Sequence, residues 1–236
     1  MIYISLAICC AYAILILFSL FVDPKGKKSH RWNKHSILQL LLFSTLKMLL
    51  AIGIVVITAA CSRIDPSGMV GLSGLSFSWQ DIAFGLIAAF GFFGIYLIWQ
   101  IIKSCACKRA QSSESGSDLI GLLPKKWLPL IGVFMIISLE AGLLEEIFFR
   151  GIVQSHIAAL YTTSSAVVLS GILFGVAHFY QGVSGILGTS ALGIWLGMTY
   201  AVTGNLLVPV VGHYLGDFAC MMLGAGKLMQ YRRKQQ

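Results

Sequence analysis

The chain has 236 residues, of which 57% are hydrophobic and only 11% charged, and its net charge is +8. A soluble domain carries about 25% charged residues and at most about half apolar ones, so an ordinary water-soluble domain does not fit. The basic excess does not read as a nucleic-acid surface either, because it gathers in alternate loops between apolar runs, the bias that sets membrane orientation.

The first run, Ile2–Val22, has no basic residues before it, is longer than a signal-peptide core, and its charges follow it, so it is expected to be a retained helix. Lys25, Lys27, Lys28, Arg31 and Lys34 come next. The second run, Ile37–Ala60, carries Lys47 at its middle. A cation there either snorkels or pairs with a buried acid, and Glu140 is the expected partner. Val56–Cys61 has the look of a lipoprotein cleavage site but follows a second apolar run and is discounted. Asp65-Pro-Ser-Gly68 is an outer turn.

After the third run, Gln80–Ile102, come Lys103, Lys108, Arg109, Lys125 and Lys126, with a polar linker at Gln111–Asp118. The fourth run, Trp127–Phe149, is predicted to continue as helix past Arg150. Ser164–Phe179, Val183–Ala201 and Leu206–Leu223 complete seven runs, and Lys227, Arg232, Arg233 and Lys234 close the chain. The alternation of basic loops predicts the N-terminus outside and the tail inside. Continuous apolar runs predict helices, not barrel strands. The expected fold is therefore an all-α polytopic transmembrane helix bundle of about seven spans, in contact with the lipid bilayer.

The six cysteines show no C-x-x-C spacing and lie in or beside apolar runs, so no disulfide framework is expected. Gly171/Gly175, Gly193/Gly197 and Gly212/Gly216 are small-xxx-small pairs that let helices approach closely. The last four runs carry nearly all the ionisable groups found inside spans.

Gly142-Leu-Leu-Glu145-Glu146-Ile-Phe-Phe-Arg150-Gly151 places two carboxylates and a guanidinium in an apolar run, where such groups mark a functional site by default. Residues four apart share a helix face, so Glu146 and Arg150 are expected to pair. Glu145, about 100° away, is left free to act as a general base. Phe174-x-x-x-His178 and His213-x-x-x-Asp217 add two histidines and an acid, and Asp217 is placed to orient His213. With a turn at Tyr161–Ser164, Glu145 and His178 each lie about 16 residues, roughly 24 Å, from it and sit at matching depth. His213 falls about 8 residues into its run, roughly 12 Å by the same rise.

Glu145-Glu146-x-x-x-Arg150, Phe174-x-x-x-His178 and His213-x-x-x-Asp217, with Tyr180-Gln181-Gly182 and Thr203-Gly204-Asn205-Leu206, resemble the motifs of the CPBP family. This is the CAAX-protease and bacteriocin-processing (Abi) group of intramembrane proteases. The resemblance covers roughly residues 125–223 and implies hydrolysis of a peptide bond in a membrane-associated peptide or protein. By analogy Glu145 and His178 would activate water, and His213 and Asp217 would stabilise the oxyanion, with Glu146, Arg150 and Phe174 supporting them. An ionised Asp at the last position cannot donate a hydrogen bond where Asn can. His213 is then the expected donor, unless Asp217 is protonated.

No cofactor is expected in this reading. Zinc, bound by His178, His213 and Glu145, is the alternative. The expected organisation is an N-terminal transmembrane scaffold at 1–110, a cytoplasmic linker at 111–126, a catalytic core at 127–226 and a basic cytoplasmic tail at 227–236. The expected location is a bacterial plasma membrane. The same buried charges would also serve an ion- or proton-coupled transporter, or a non-catalytic immunity or scaffold protein of the same fold.

Overall fold

A computed structural model describes residues 2–21, 34–62, 75–106 and 126–234. Every regular element among them is helical. We number the helices α1 (Ile2–Phe21), α2 (Lys34–Cys61), α3 (Trp79–Ala106), α4 (Trp127–Leu160), α5 (Thr163–Ala177), α6 (Gly182–Thr203) and α7 (Leu207–Lys234). Segments of α2, α3, α4, α6 and α7 are long and apolar enough to cross a membrane, and the chain is an integral multi-pass membrane protein. Ile2–Leu17 and Thr163–Ala177 are shorter apolar helices. The outer turn at Asp65–Gly68, the Gln111–Asp118 linker, Cys107 and most of the loop cations that carry the charge bias lie outside the described residues. Cys9, Cys10, Cys61, Cys105 and Cys220 are free thiols.

Local chemistry marks the helix starts. Ser78 Oγ accepts from the Asp81 backbone N–H at 3.1 Å, and Asp81 Oδ2 accepts from the Ser78 N–H at 3.1 Å, a reciprocal cap that opens α3. The Thr162 hydroxyl accepts from the Ser165 N–H at 3.2 Å and opens α5. The Asn205 side chain caps α7 through the Leu207 N–H at 3.0 Å and donates to the Ser76 carbonyl at 3.0 Å. It thereby ties the start of α7 to the start of α3. Gly204, at φ +64°, ends α6 in the left-handed conformation that suits glycine.

Inside a bilayer helices gain little from leaving lipid, so close van der Waals fit decides association. Helices α5 and α6 cross through glycines. A Cβ on Gly175 would lie 2.6 Å from the Ile186 carbonyl oxygen, and one on Gly171 would lie 2.7 Å from the Ile194 nitrogen. Helix α7 packs on α3 through Gly212 and Gly216, which face Ala88 and Phe92. Helices α1 and α2 contribute Ala7, Ala11, Ala51 and Val55 to a core completed by Phe148, Phe149 and Ile152 of α4 and Phe174 of α5. Gly175→Leu has no flexible neighbour to displace at Ile186. It is expected to cost at least about 1–3 kcal/mol, read as a lowered melting temperature in detergent micelles.

Candidate active site

The fourth helix is continuous from Trp127 to Leu160, as its apolar run predicts, but its middle departs from α geometry. Ala141–Glu145 and Ile147–Gln154 are π-helical. Such widened turns are rare and recur at functional sites. The two widened segments flank Glu146 and carry Glu145, Arg150 and Gln154, and the two adjacent carboxylates face different neighbours.

Glu146 faces the dry interior. Its Oε1 accepts from Arg150 Nη1 at 2.8 Å and from His213 Nδ1 at 2.7 Å. Glu146 is fully buried, Arg150 is 1% exposed and His213 3%. The guanidinium also donates through Nη2 to the Gly193 carbonyl at 2.8 Å and stands 4.8 Å over the Phe174 ring. Glu146 Oε2 and Arg150 Nε have no hydrogen-bond partner among the described residues. An incompletely satisfied buried ion pair gives little net stability, and its value lies in specifying geometry.

One turn further along α4, Gln154 Nε2 donates to the Gly197 carbonyl at 2.9 Å and its Oε1 accepts from Ser170 at 3.2 Å. Arg150 and Gln154 thus grip carbonyls four residues apart on α6 and join α4 to it. Glu146, Arg150 and Gln154 form a polar stripe at i, i+4, i+8 that the sequence displays. Gln154 is the member that the motif reading leaves out.

Glu145 faces the accessible side. Its Oε2 lies 3.8 Å from His178 Nε2, and the two side chains are 17% and 15% exposed. His178 is the residue that ends α5, with φ −98° and ψ 21°. Its Nδ1 lies 2.8 Å from the Phe174 carbonyl, one of the acceptors a helix leaves free at its C-terminus. A carbonyl only accepts, so Nδ1 carries the proton and a neutral ring turns an unprotonated Nε2 toward Glu145. The matching depth expected from the Tyr161–Ser164 turn is found: α4 stops at Leu160 and α5 starts at Thr163.

Asp217 lies on the same side, its side chain 27% exposed, with Oδ2 3.6 Å from His213 Nε2. The spacing of four residues suggests Asp217 as the acid that orients His213. Glu146, on another helix, makes the short bond to Nδ1, and Asp217 faces the other ring nitrogen at ion-pair distance. Phe174 is a common neighbour, its ring centroid 4.7 Å from His178, 5.8 Å from His213 and 5.0 Å from Phe149. Phe92 of α3 stacks on His213 at 5.4 Å. No motif or charge in the third run points to that contact.

Lys47, Ser44 and Thr45 of α2 lie near the Glu140 carboxylate. Among the described residues no ion pair within 4 Å joins Lys47 and Glu140, so the expected pairing is at most a proximity. His178, His213 and Glu145 do not present a shared ligand set for zinc. His213 Nδ1 is committed to Glu146 and its Nε2 faces Asp217, and among the described residues no three such donors converge.

A cleft of about 90 Å³ opens between α3 and α6, with Tyr96, Trp99 and Lys103 on one wall and Gln181, Gly185 and Thr189 on the other. Gln181 also donates to the Tyr180 hydroxyl at 3.3 Å, so the cleft borders the turn that follows His178.

Residues 127–219 match the family model described as type II CAAX prenyl endopeptidase Rce1-like. The segment includes Glu145, Glu146, Arg150, Phe174, His178, His213 and Asp217, and the family resemblance carried by the three motifs is shown there. Among curated proteins, the Bacillus subtilis (strain 168) protein YpbD, described as uncharacterized, is 32% identical over 105 residues, which is 43% of this chain and 50% of that protein. The chain therefore spans half the length of this relative. No solved structure matches.

Proposed function

We propose that the chain is an intramembrane endopeptidase that hydrolyses a peptide bond in a membrane-associated peptide or protein. The observation that carries this reading is the 3.8 Å approach of Glu145 Oε2 to His178 Nε2 on the accessible side of a buried ion-pair network. Two bases at that separation can share one water. The match to the Rce1-like family supports the same reaction class.

In this mechanism Glu145 takes a proton from the water while His178 Nε2 holds it through a second hydrogen bond. The water oxygen forms a bond to the scissile carbonyl carbon, and the π pair of the carbonyl becomes an oxyanion. The oxyanion re-forms the carbonyl as the carbon–nitrogen bond breaks, and the proton held by Glu145 passes to the leaving nitrogen. One water is consumed and a carboxyl and an amine are released.

His213 donates to Glu146 through Nδ1. Its Nε2, on the opposite ring edge 3.6 Å from Asp217 Oδ2, is the atom that donates to the oxyanion in this mechanism. Glu146, Arg150 and Phe174 fix the position of that ring. Asp217 stands beside it as the acid at the mouth of the site. Residues 127–226 form the catalytic core and the earlier helices the scaffold around it. The similarity to a Bacillus protein supports placement in a bacterial plasma membrane.

The donors present suit water activated by a carboxylate without metal. Hydrolysis by the reconstituted chain is accordingly expected to persist after exhaustive treatment with a zinc chelator. Activity lost on chelation and regained with zinc would move the mechanism to a metal-bound water. The reading as a whole is tested by reconstitution in phospholipid vesicles with extracted host membrane proteins. Peptide release by the wild type and not by Glu145→Gln is expected, and equal release by both overturns it.

A further inference from the structure

A developing oxyanion is best held by two preorganised donors. Here His213 offers one ring edge, and Asp217 as a carboxylate only accepts. We infer that the Tyr180 phenol is a further catalytic residue, donating the second hydrogen bond to the oxyanion. This rests on the hydrolytic reading above and extends it.

Tyr180 sits in the 3-10 turn Phe179–Gln181, two residues beyond His178. The turn is closed by the Gln181 N–H bonding the His178 carbonyl at 2.9 Å, and Gly182 follows at φ +77°, a conformation side chains disfavour. The phenol is thus on a constrained segment attached directly to His178. Its ring centroid lies 5.8 Å from the His178 ring at an angle of 37°.

Gln181 Nε2 donates to the phenol oxygen at 3.3 Å and fills an acceptor position. Among the hydrogen bonds of the described residues, the phenol proton has no acceptor. The carboxylates of Glu145 and Asp217 are both close enough for their charges to act on the phenol. With its ring against that of His178, which lies 3.8 Å from Glu145, the phenol borders the place where a carbonyl attacked by the shared water would sit. Its geometry also explains how the site works with Asp at position 217, where the side chain brings no N–H of its own.

The test uses the full chain in phospholipid vesicles with extracted host membrane proteins, and follows the peptides whose release requires Glu145. Tyr180→Phe keeps the ring and its packing, so an unchanged melting temperature is expected. Its kcat should fall on the order of 100-fold with KM nearly constant. The decisive arm is Tyr180→Phe/Asp217→Asn. The amide returns a neutral donor beside His213, and at least about a tenfold recovery over Tyr180→Phe alone is expected, corresponding to ~1.4 kcal/mol of barrier. A structural role for Tyr180 gives no such rescue.

If Tyr180→Phe releases peptides at the wild-type rate while Glu145→Gln is inactive, Tyr180 is not an oxyanion donor and hydrolysis by Glu145 stands. If Tyr180→Phe is slow and Asp217→Asn does not restore it, the donor role is likewise overturned. If Glu145→Gln releases the same peptides as the wild type, the hydrolytic reading fails first and this assignment fails with it.

Discussion

Glu145→Gln is expected to abolish peptide release while leaving the helix bundle folded. The amide occupies nearly the same space, and Glu145 Oε2 makes no hydrogen bond that holds helices together; its near neighbour is His178 Nε2 at 3.8 Å. A primary amide cannot take a proton from water at neutral pH. Loss of a general base costs about 10²–10⁴-fold. The upper end is expected because the same carboxylate also delivers the proton to the leaving nitrogen. Rates in vesicles and melting temperatures in detergent check this together. A catalytically silent Glu145→Gln would remove the base from the mechanism, whereas an unfolded one would show that Glu145 holds structure.

Glu146→Ala is expected to behave in the opposite way, losing the fold along with the activity. Removal of this carboxylate leaves Arg150, 1% exposed, without a counter-charge, and leaves His213 Nδ1 without its acceptor. Breaking a buried pair by deleting one partner costs about 3–5 kcal/mol, a large fraction of the stability of most domains. Glu146→Gln keeps an acceptor oxygen for both donors but not the counter-charge, and is expected to fall between Glu146→Ala and the wild type. Thermal unfolding in detergent separates the two variants. Equal melting temperatures for Glu146→Ala and the wild type would show that the buried pair does not hold the bundle.

The contrast between these neighbours was partly readable in the sequence. Spacing of four residues identifies Glu146 as the partner of Arg150 and leaves Glu145 free, and 2.8 Å separates the paired atoms. The turn at Thr162 and the equal residue counts on either side of it place Glu145 and His178 at one depth. The helical class followed from continuous apolar runs.

Other features were beyond reach for physical reasons. No residue type encodes a π-helical stretch, since i to i+5 bonding is chosen by how α4 fits its neighbours. The bond from His213 to Glu146 depends on how α7 rotates against α4, and helix periodicity within one run says nothing about rotation between runs. The local spacing drew attention to Asp217 instead, which lies 3.6 Å from the other edge of the ring. The acceptors for Arg150 and Gln154 are the backbone carbonyls of Gly193 and Gly197, and the missing side chain at Gly197 leaves room for Gln154. Phe92 reaches His213 from α3 with no polar residue to mark it.

Hydrolysis by water held at Glu145 and His178 makes one signature that transport or scaffolding cannot make. Membranes from cells expressing the wild type or Glu145→Ala, incubated in heavy-oxygen water, are compared by mass spectrometry of their released peptides. Peptides ending in a new carboxyl group that carries the heavy oxygen are predicted from the wild type and not from the variant. Indistinguishable peptide populations from the two membranes would contradict the enzyme reading at its centre.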